Sequence, residues 1–135
     1  MNPHYSRVAE RAGHRREYCH APEAIFNFPF EVEHVVPPGR GGADDEANHA
    51  LSCRCCNLFK SDNLDGVDPQ TGNLAALFNP RQSRWEEHFT VDQRTGKLSG
   101  LTSAGRATID RLQMNRPTQV LARKQWLRLK FFPNF

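Results

Sequence analysis

Residues 33–60, EHVVPPGRGGADDEANHALSCRCCNLFK, form the stretch whose reading decides the fold. An acid and a histidine, Glu33 and His34, close an apolar run, and a long Pro/Gly loop follows. The run FEVEHVV predicts a strand with Phe30, Val32, His34 and Val36 on one face and Glu31, Glu33 and Val35 on the other. Pro37 and Pro38 stop the pairing, and PPGRGGADDEAN reads as loop by every local signal. A second short strand, near Asn48 to Ser52, is expected to pair back on the first. CRCCNLFKSD then predicts a helix: at about 100° per residue, Cys53, Cys56, Asn57 and Lys60 share one arc, with Cys55 nearly opposite. Regular alternation would turn Glu33 and His34 to opposite sides. Both can serve one site only if the strand twists or bulges there, or if a cleft lies at its end.

Outward from this stretch, 135 residues suit a single domain with a modest core. Hydrophobic content is low at 38%, so the nine Phe are expected to do packing that Ile and Leu usually do. No apolar run approaches the roughly 18 residues of a membrane span, and the N-terminus lacks the apolar segment of a secretory signal. A cytoplasmic protein is expected, whose four Cys stay thiols or bind metal. Net charge is only +3. Its distribution says more: Arg111, Arg116, Arg123, Lys124, Arg128 and Lys130 close the chain with no acid among them. Such a run is either a solvated helix face or a phosphate-contacting one.

Before the central stretch, Ser6 is read as the N-cap of a helix that Gly13 ends, with Arg15 and Arg16 following in a loop. In EYCHAPEAIFNFPF, Phe26, Phe28 and Phe30 alternate as half-buried positions of an extended segment do. After Asp62, DNLDGVDPQTGN reads as a turn-rich connection. Trp85 to Val91 and Lys97 to Leu101 predict a hairpin. Thr102 or Ser103 caps a helix through about Met114, and Pro117 opens a last helix to about Lys130. His49 is expected to face away from Asn48 as surface or core, His88 to be structural, and His4 to sit in a mobile terminus.

A neutral imidazole, an acid beside it and two amides, gathered across strand, loop, strand and helix, suit metal-assisted cleavage of a phosphodiester. With Glu33-His34, Asn48 and Asn57 in place, alongside GRGG, NHAL and the CxxCN-xx-K piece, the chain resembles an HNH endonuclease from about Tyr18 to Asp62. LFNPR, W-x-x-HF and GR-A-T-I resemble a C-terminal extension found in a bacterial subgroup. The fold this implies is α+β: a ββα-metal (His-Me finger) core at about 18–62 with an N-terminal helix, and an extension at about 63–135 of a hairpin plus helices. All of it is expected to form one HNH-nuclease-like domain over 1–135.

The resemblance implies roles as well. His34 would be the general base, Asn48 would brace the loop and orient the His34 ring, and Lys60 would neutralise phosphate charge. Glu33 and Asn57 would hold one divalent cation, Mg²⁺ first and Mn²⁺ or another ion second. That ion would stabilise charge on the phosphorane and on the leaving 3′ oxygen. The substrate implied is DNA, double-stranded first, with RNA left open. Cutting both strands would favour a homodimer. Arg15, Arg16, Arg40, Arg123, Lys124 and Arg128 are the candidate phosphate contacts. The competing function is a noncatalytic nucleic-acid-binding module on the same fold. Many HNH proteins also carry two CxxC pairs on a structural zinc. Here Cys53 and Cys56 make one pair, but the other has Arg16 and Cys19. Three Cys with His14 or His20 could complete four ligands, or the thiols pack as small hydrophobes.

Overall fold

A computed structural model describes residues 2–23 and 30–132. Phe26 and Phe28, with the alternation read there, lie outside the described residues. The first helix, α1, spans Tyr5–Arg11 and packs Val8 and Ala9 against Leu51 and Phe30. Burying a side chain the size of Leu51 contributes about 1.5–3 kcal/mol. The helix begins one residue ahead of Ser6, at an N-cap His4 that makes no side-chain cap bond. Ser6 therefore lies inside the first turn and is not the cap.

Strand β1 spans Glu31–His34 and pairs antiparallel with β2, His49–Ser52. Among the described residues β1 has no other strand beside it. The register sets Glu31 opposite Ser52, Val32 opposite Leu51, Glu33 opposite Ala50, and His34 opposite His49. Asn48 is not the first residue of β2, because it ends a 3-10 turn at Glu46–Asn48. The loop between the strands is laced together. The Asn48 Oδ1 accepts from Val36 N at 2.8 Å, and its Nδ2 donates to Val36 O and Ala43 O at 2.8 Å each. Gly42 passes so close that a Cβ built there would lie 1.7 Å from Val36 O, so no larger residue fits this backbone path.

Helix α2, Arg54–Lys60, starts at an N-cap Cys53 whose sulfur accepts from Cys56 N. Lys60 Nζ donates to Val35 O at 2.9 Å and so fastens α2 to the chain just past β1. The expected turn-rich connection contains a small hairpin, β3 Asp65–Val67 with β4 Leu74–Ala76. Both strands are short and largely exposed, so hydrophobic alternation could not announce them. Asp68 ties this hairpin to the next helix, accepting from Ser103 Oγ at 2.8 Å and from Arg106 Nη2 at 2.9 Å.

Trp85–His88 form a helical turn, α3, rather than the start of a strand. Strand β5, Phe89–Val91, then pairs with β6, Leu98–Gly100. Thr102 caps α4, Ser103–Arg111, through a bond from Gly105 N, and α5 runs Pro117–Arg128 with Pro at its first turn. Both helices stop a few residues short of the expected ends; past α4, Gln113 has φ +53. A Cβ at Gly105 would lie 2.2 Å from His88 O, so the close approach of α4 to α3 depends on glycine. Mixed α and β elements with small antiparallel sheets thus hold as expected. One apolar core joins Tyr18, Cys19 and Val35 of the first half to Trp85, Phe89 and Trp126 of the second.

Candidate active site

Because His34 and His49 face each other across the hairpin, both side chains leave the same face. His34 Nε2 lies 3.0 Å from Asp44 Oδ1, and His49 Nε2 lies 2.9 Å from the same oxygen. A carboxylate only accepts, so both rings carry a proton on Nε2 when they make these bonds. The two bonds, that from His49 first, hold the Asp44 carboxyl below the usual carboxylate range. His49 is fully buried and its Nδ1 has no partner, as suits a lone pair better than a stranded N–H. The His34 side chain is 30% exposed, and its Nδ1 has no bond among the described residues. His4, expected in a mobile terminus, lies with its ring centroid 4.9 Å from that of His49.

The strand keeps its regular alternation, so Glu33 points the other way. It is 4% exposed, accepts from the Tyr18 hydroxyl, and stands 3.6 Å from Lys60 Nζ. Burial pushes its carboxyl above the usual range, while Lys60 and then Tyr18 pull it back down. Burial, and next the Glu33 charge, also push the Tyr18 hydroxyl far up. Lys60 is itself 2% exposed. Its charge faces an interior carboxylate and a carbonyl, not solvent.

Asn57 meets a different acid. Its Nδ2 donates to Glu31 Oε1 at 2.9 Å, and Arg54 stands 3.7 Å from Glu31 Oε2. Both residues are partly exposed. The oxygen and nitrogen of an amide are distinguished only by their bonding, so a turned Asn57 amide sets two oxygens side by side. Two oxygens with several waters is a set Mg²⁺ accepts. The structure thus brings Asn57 to Glu31 and His34 to Asp44, and leaves Glu33 apart from both. Asn48 braces the loop and makes no bond to the His34 ring.

The Cys19, Cys53 and Cys56 sulfurs lie within 4.8 Å of one another, all buried. Cys53 and Cys56 hydrogen-bond the Cys19 sulfur and hold it well below the usual thiol range, which pushes Cys53 up to about 11. Arg16 Nη1 stands 3.9 Å from Cys19 Sγ, a positive charge beside that sulfur. Among the described residues the group has three members. His14 bonds Glu23, and His20 stacks on Trp85 at 4.4 Å. Three donors and a guanidinium do not make the closed four-ligand set of a structural zinc.

The basic candidates divide by burial. Arg40, Lys124 and Arg128 are exposed. Arg15 is half-buried and donates to His20 O at 3.2 Å. Arg16 and Arg123 are interior. Arg123 is 0% exposed and donates to Gly96 O and Met114 O at 2.8 Å each, so its charge does not reach the surface.

The sequence assigns no site role to Glu31 or Asp44, and it predicts His49 as surface or core, of which the structure has core. Glu31 shares the parity of Glu33, which was a usable signal. Asp44 sits in a DDE run that reads as solvated loop, and the pairing of His49 with His34 depends on a register that no short turn fixes.

Residues 17–63 match the family model described as HNH endonuclease. No curated protein and no solved structure matches the chain. No helix among the described residues is long and apolar enough to cross a membrane. The match covers Glu33-His34, Asn48 and Asn57 together with the hairpin and helix that carry them, and through that segment the chain is similar to the HNH endonuclease family.

Proposed function

We propose that the chain is a metal-dependent endonuclease that hydrolyses phosphodiester bonds in DNA, built on a ββα-metal core. The observation that carries this is the His34 ring, half-exposed at the end of β1 and held at Nε2 by Asp44. The bond leaves Nδ1 as the nitrogen with a free lone pair, and that atom takes the proton from an attacking water. A general base must be neutral to accept that proton. Asp44 acts through His34 by fixing its tautomer and direction.

Asn57 and a carboxylate of β1 would hold the divalent cation, Mg²⁺ in the first instance. Glu31 already faces Asn57; Glu33 would first have to leave Tyr18 and Lys60. Bound there, the ion would supply charge stabilisation at the phosphorane and at the leaving 3′ oxygen. The edge of β1 that has no partner strand among the described residues is where one phosphodiester can meet both faces of the strand, His34 from one and Glu31 with Asn57 from the other. Arg40, Lys124 and Arg128 are the exposed cations left to contact backbone phosphates.

A noncatalytic DNA-binding module is the second reading. It is favoured by the separation of Glu33, His34 and Asn57 onto different partners. Plasmid incubated with the protein in Mg²⁺ or in EDTA separates the two. Cleavage should need metal and fall at least about 10²-fold in His34→Ala. Glu31→Ala should cost more than Glu33→Gln. Equal rates for His34→Ala and the wild type would remove the base assignment, and binding without cleavage under every metal tried would favour the module.

A further inference from the structure

We propose that His34, Asp44 and His49 form a second cation site, selective for a divalent transition ion such as Zn²⁺, and that an ion seated there silences the imidazole needed for cleavage. The existence of the site stands apart from the cleavage reading; the silencing rests on it.

The argument begins with the donors. Two imidazole nitrogens and one carboxylate oxygen are a set that Zn²⁺ and its neighbours bind well, whereas Mg²⁺ prefers oxygen alone. The spacing suits one ion. Metal–ligand bonds of about 2.0–2.2 Å put neighbouring ligand atoms about 3–3.5 Å apart. Asp44 Oδ1 lies 2.9 and 3.0 Å from the two Nε2 atoms, and all three atoms fall within 4.8 Å of one another.

The frame is also preassembled. His34 and His49 are fixed by strand register, and the loop bearing Asp44 is pinned by the three Asn48 bonds. Little ordering remains to be done on binding. The Asp44 side chain is 73% exposed, so an ion can arrive from solvent and keep waters on its open positions. One feature limits affinity. An ion on His49 Nε2 moves the ring proton to Nδ1, which is buried without an acceptor. A missing outer partner of that kind costs about 10- to 100-fold in metal affinity, so the site should release its ion to a chelator.

Occupancy takes the Nε2 lone pair of His34 and leaves its proton on Nδ1, the atom that would accept from water. The bound imidazole then has no free lone pair.

Cobalt(II) titrated into the reduced chain tests the site without any activity measurement. Saturable weak visible bands of nitrogen and oxygen ligation, with paramagnetic broadening of the His34 and His49 ring signals, are expected. Asp44→Ala, at an exposed position and checked for folding by circular dichroism, should weaken binding at least about tenfold. The proposal is overturned by the absence of saturable binding. Bands with thiolate charge transfer that survive Asp44→Ala and vanish in Cys56→Ser would overturn it too, by giving the ion to the thiols. For the silencing, Zn²⁺ should stop Mg²⁺-dependent cleavage at least tenfold less potently in Asp44→Ala than in the wild type, measured on whatever rate the variant keeps. Equal potency sinks the silencing. If the wild type cuts nothing, the cleavage reading fails while cobalt still decides the site.

Discussion

At the scale of the residue, Arg16 marks where this chain leaves the pattern it resembles. A guanidinium now stands beside Cys19, and with the two neighbouring thiols it holds that thiol below the usual range. Arg16→Cys should restore a fourth sulfur. The variant, purified and chelator-washed, is expected to keep about one zinc per chain and to melt higher, while the wild type keeps well under one at the thiols. Metal analysis beside a melting curve decides it; a variant as metal-free as the wild type would show that position 16 is not the missing corner.

Position is legible where spacing is clear: His34 closes β1 and Asn57 lies on α2, as the sequence predicts. Burial was less legible. Lys60 is expected to meet phosphate and Arg123 to lie on a solvated or phosphate-contacting face, yet both are interior, since sequence periodicity does not say which charge will find an interior carbonyl.

At the scale of the element, Lys60 and Glu33 show what holds α2 against the hairpin. Both are interior and 3.6 Å apart, and burial still pushes the Glu33 carboxyl up. Removing one partner leaves an uncompensated buried charge. Lys60→Met should therefore destabilise by about 3–5 kcal/mol at pH 7. Adding Glu33→Gln should recover part of that loss. Urea denaturation of the three proteins measures this, and a double variant no more stable than the single would refute the charge argument.

Element type follows from a clear period in β1 and α2, and from Pro117 at the first turn in α5. It failed in two places. Trp85–His88 turned helical, and the β3–β4 hairpin went unnoticed because three-residue strands carry too few positions to show a period of two. The alternation predicted for β1 holds in the structure. A strand that keeps its pleat sends Glu33 and His34 apart, so the acid that meets Asn57 is Glu31, two residues earlier.

At the scale of the whole molecule, first and second halves are tied by named contacts. Trp85 Nε1 donates to Tyr18 O at 2.6 Å, Arg81 pairs with Glu17, and the Glu17 carboxylate accepts from Leu51 N at 2.7 Å. We therefore expect residues 1–135 to unfold as one unit. His20 lies in this seam against Trp85, and burial pushes its pKa down to about 4. In the unfolded chain it returns to about 6.5. Between those values the unfolded chain binds the extra proton, so stability should fall as pH drops from about 6.5 towards 4, by on the order of 3 kcal/mol for a shift of this size. His20→Phe should flatten that limb in denaturant titrations across the range; an unchanged slope would place the proton uptake elsewhere.

The Trp85 indole has a further use. It is buried, bonded to a backbone carbonyl beside the thiol cluster and stacked on a ring that titrates. In a Trp126→Phe background its emission becomes an optical gauge of that one seam. A red shift on acidification, seen before the far-ultraviolet signal changes, would report the halves parting while each still holds its own helices.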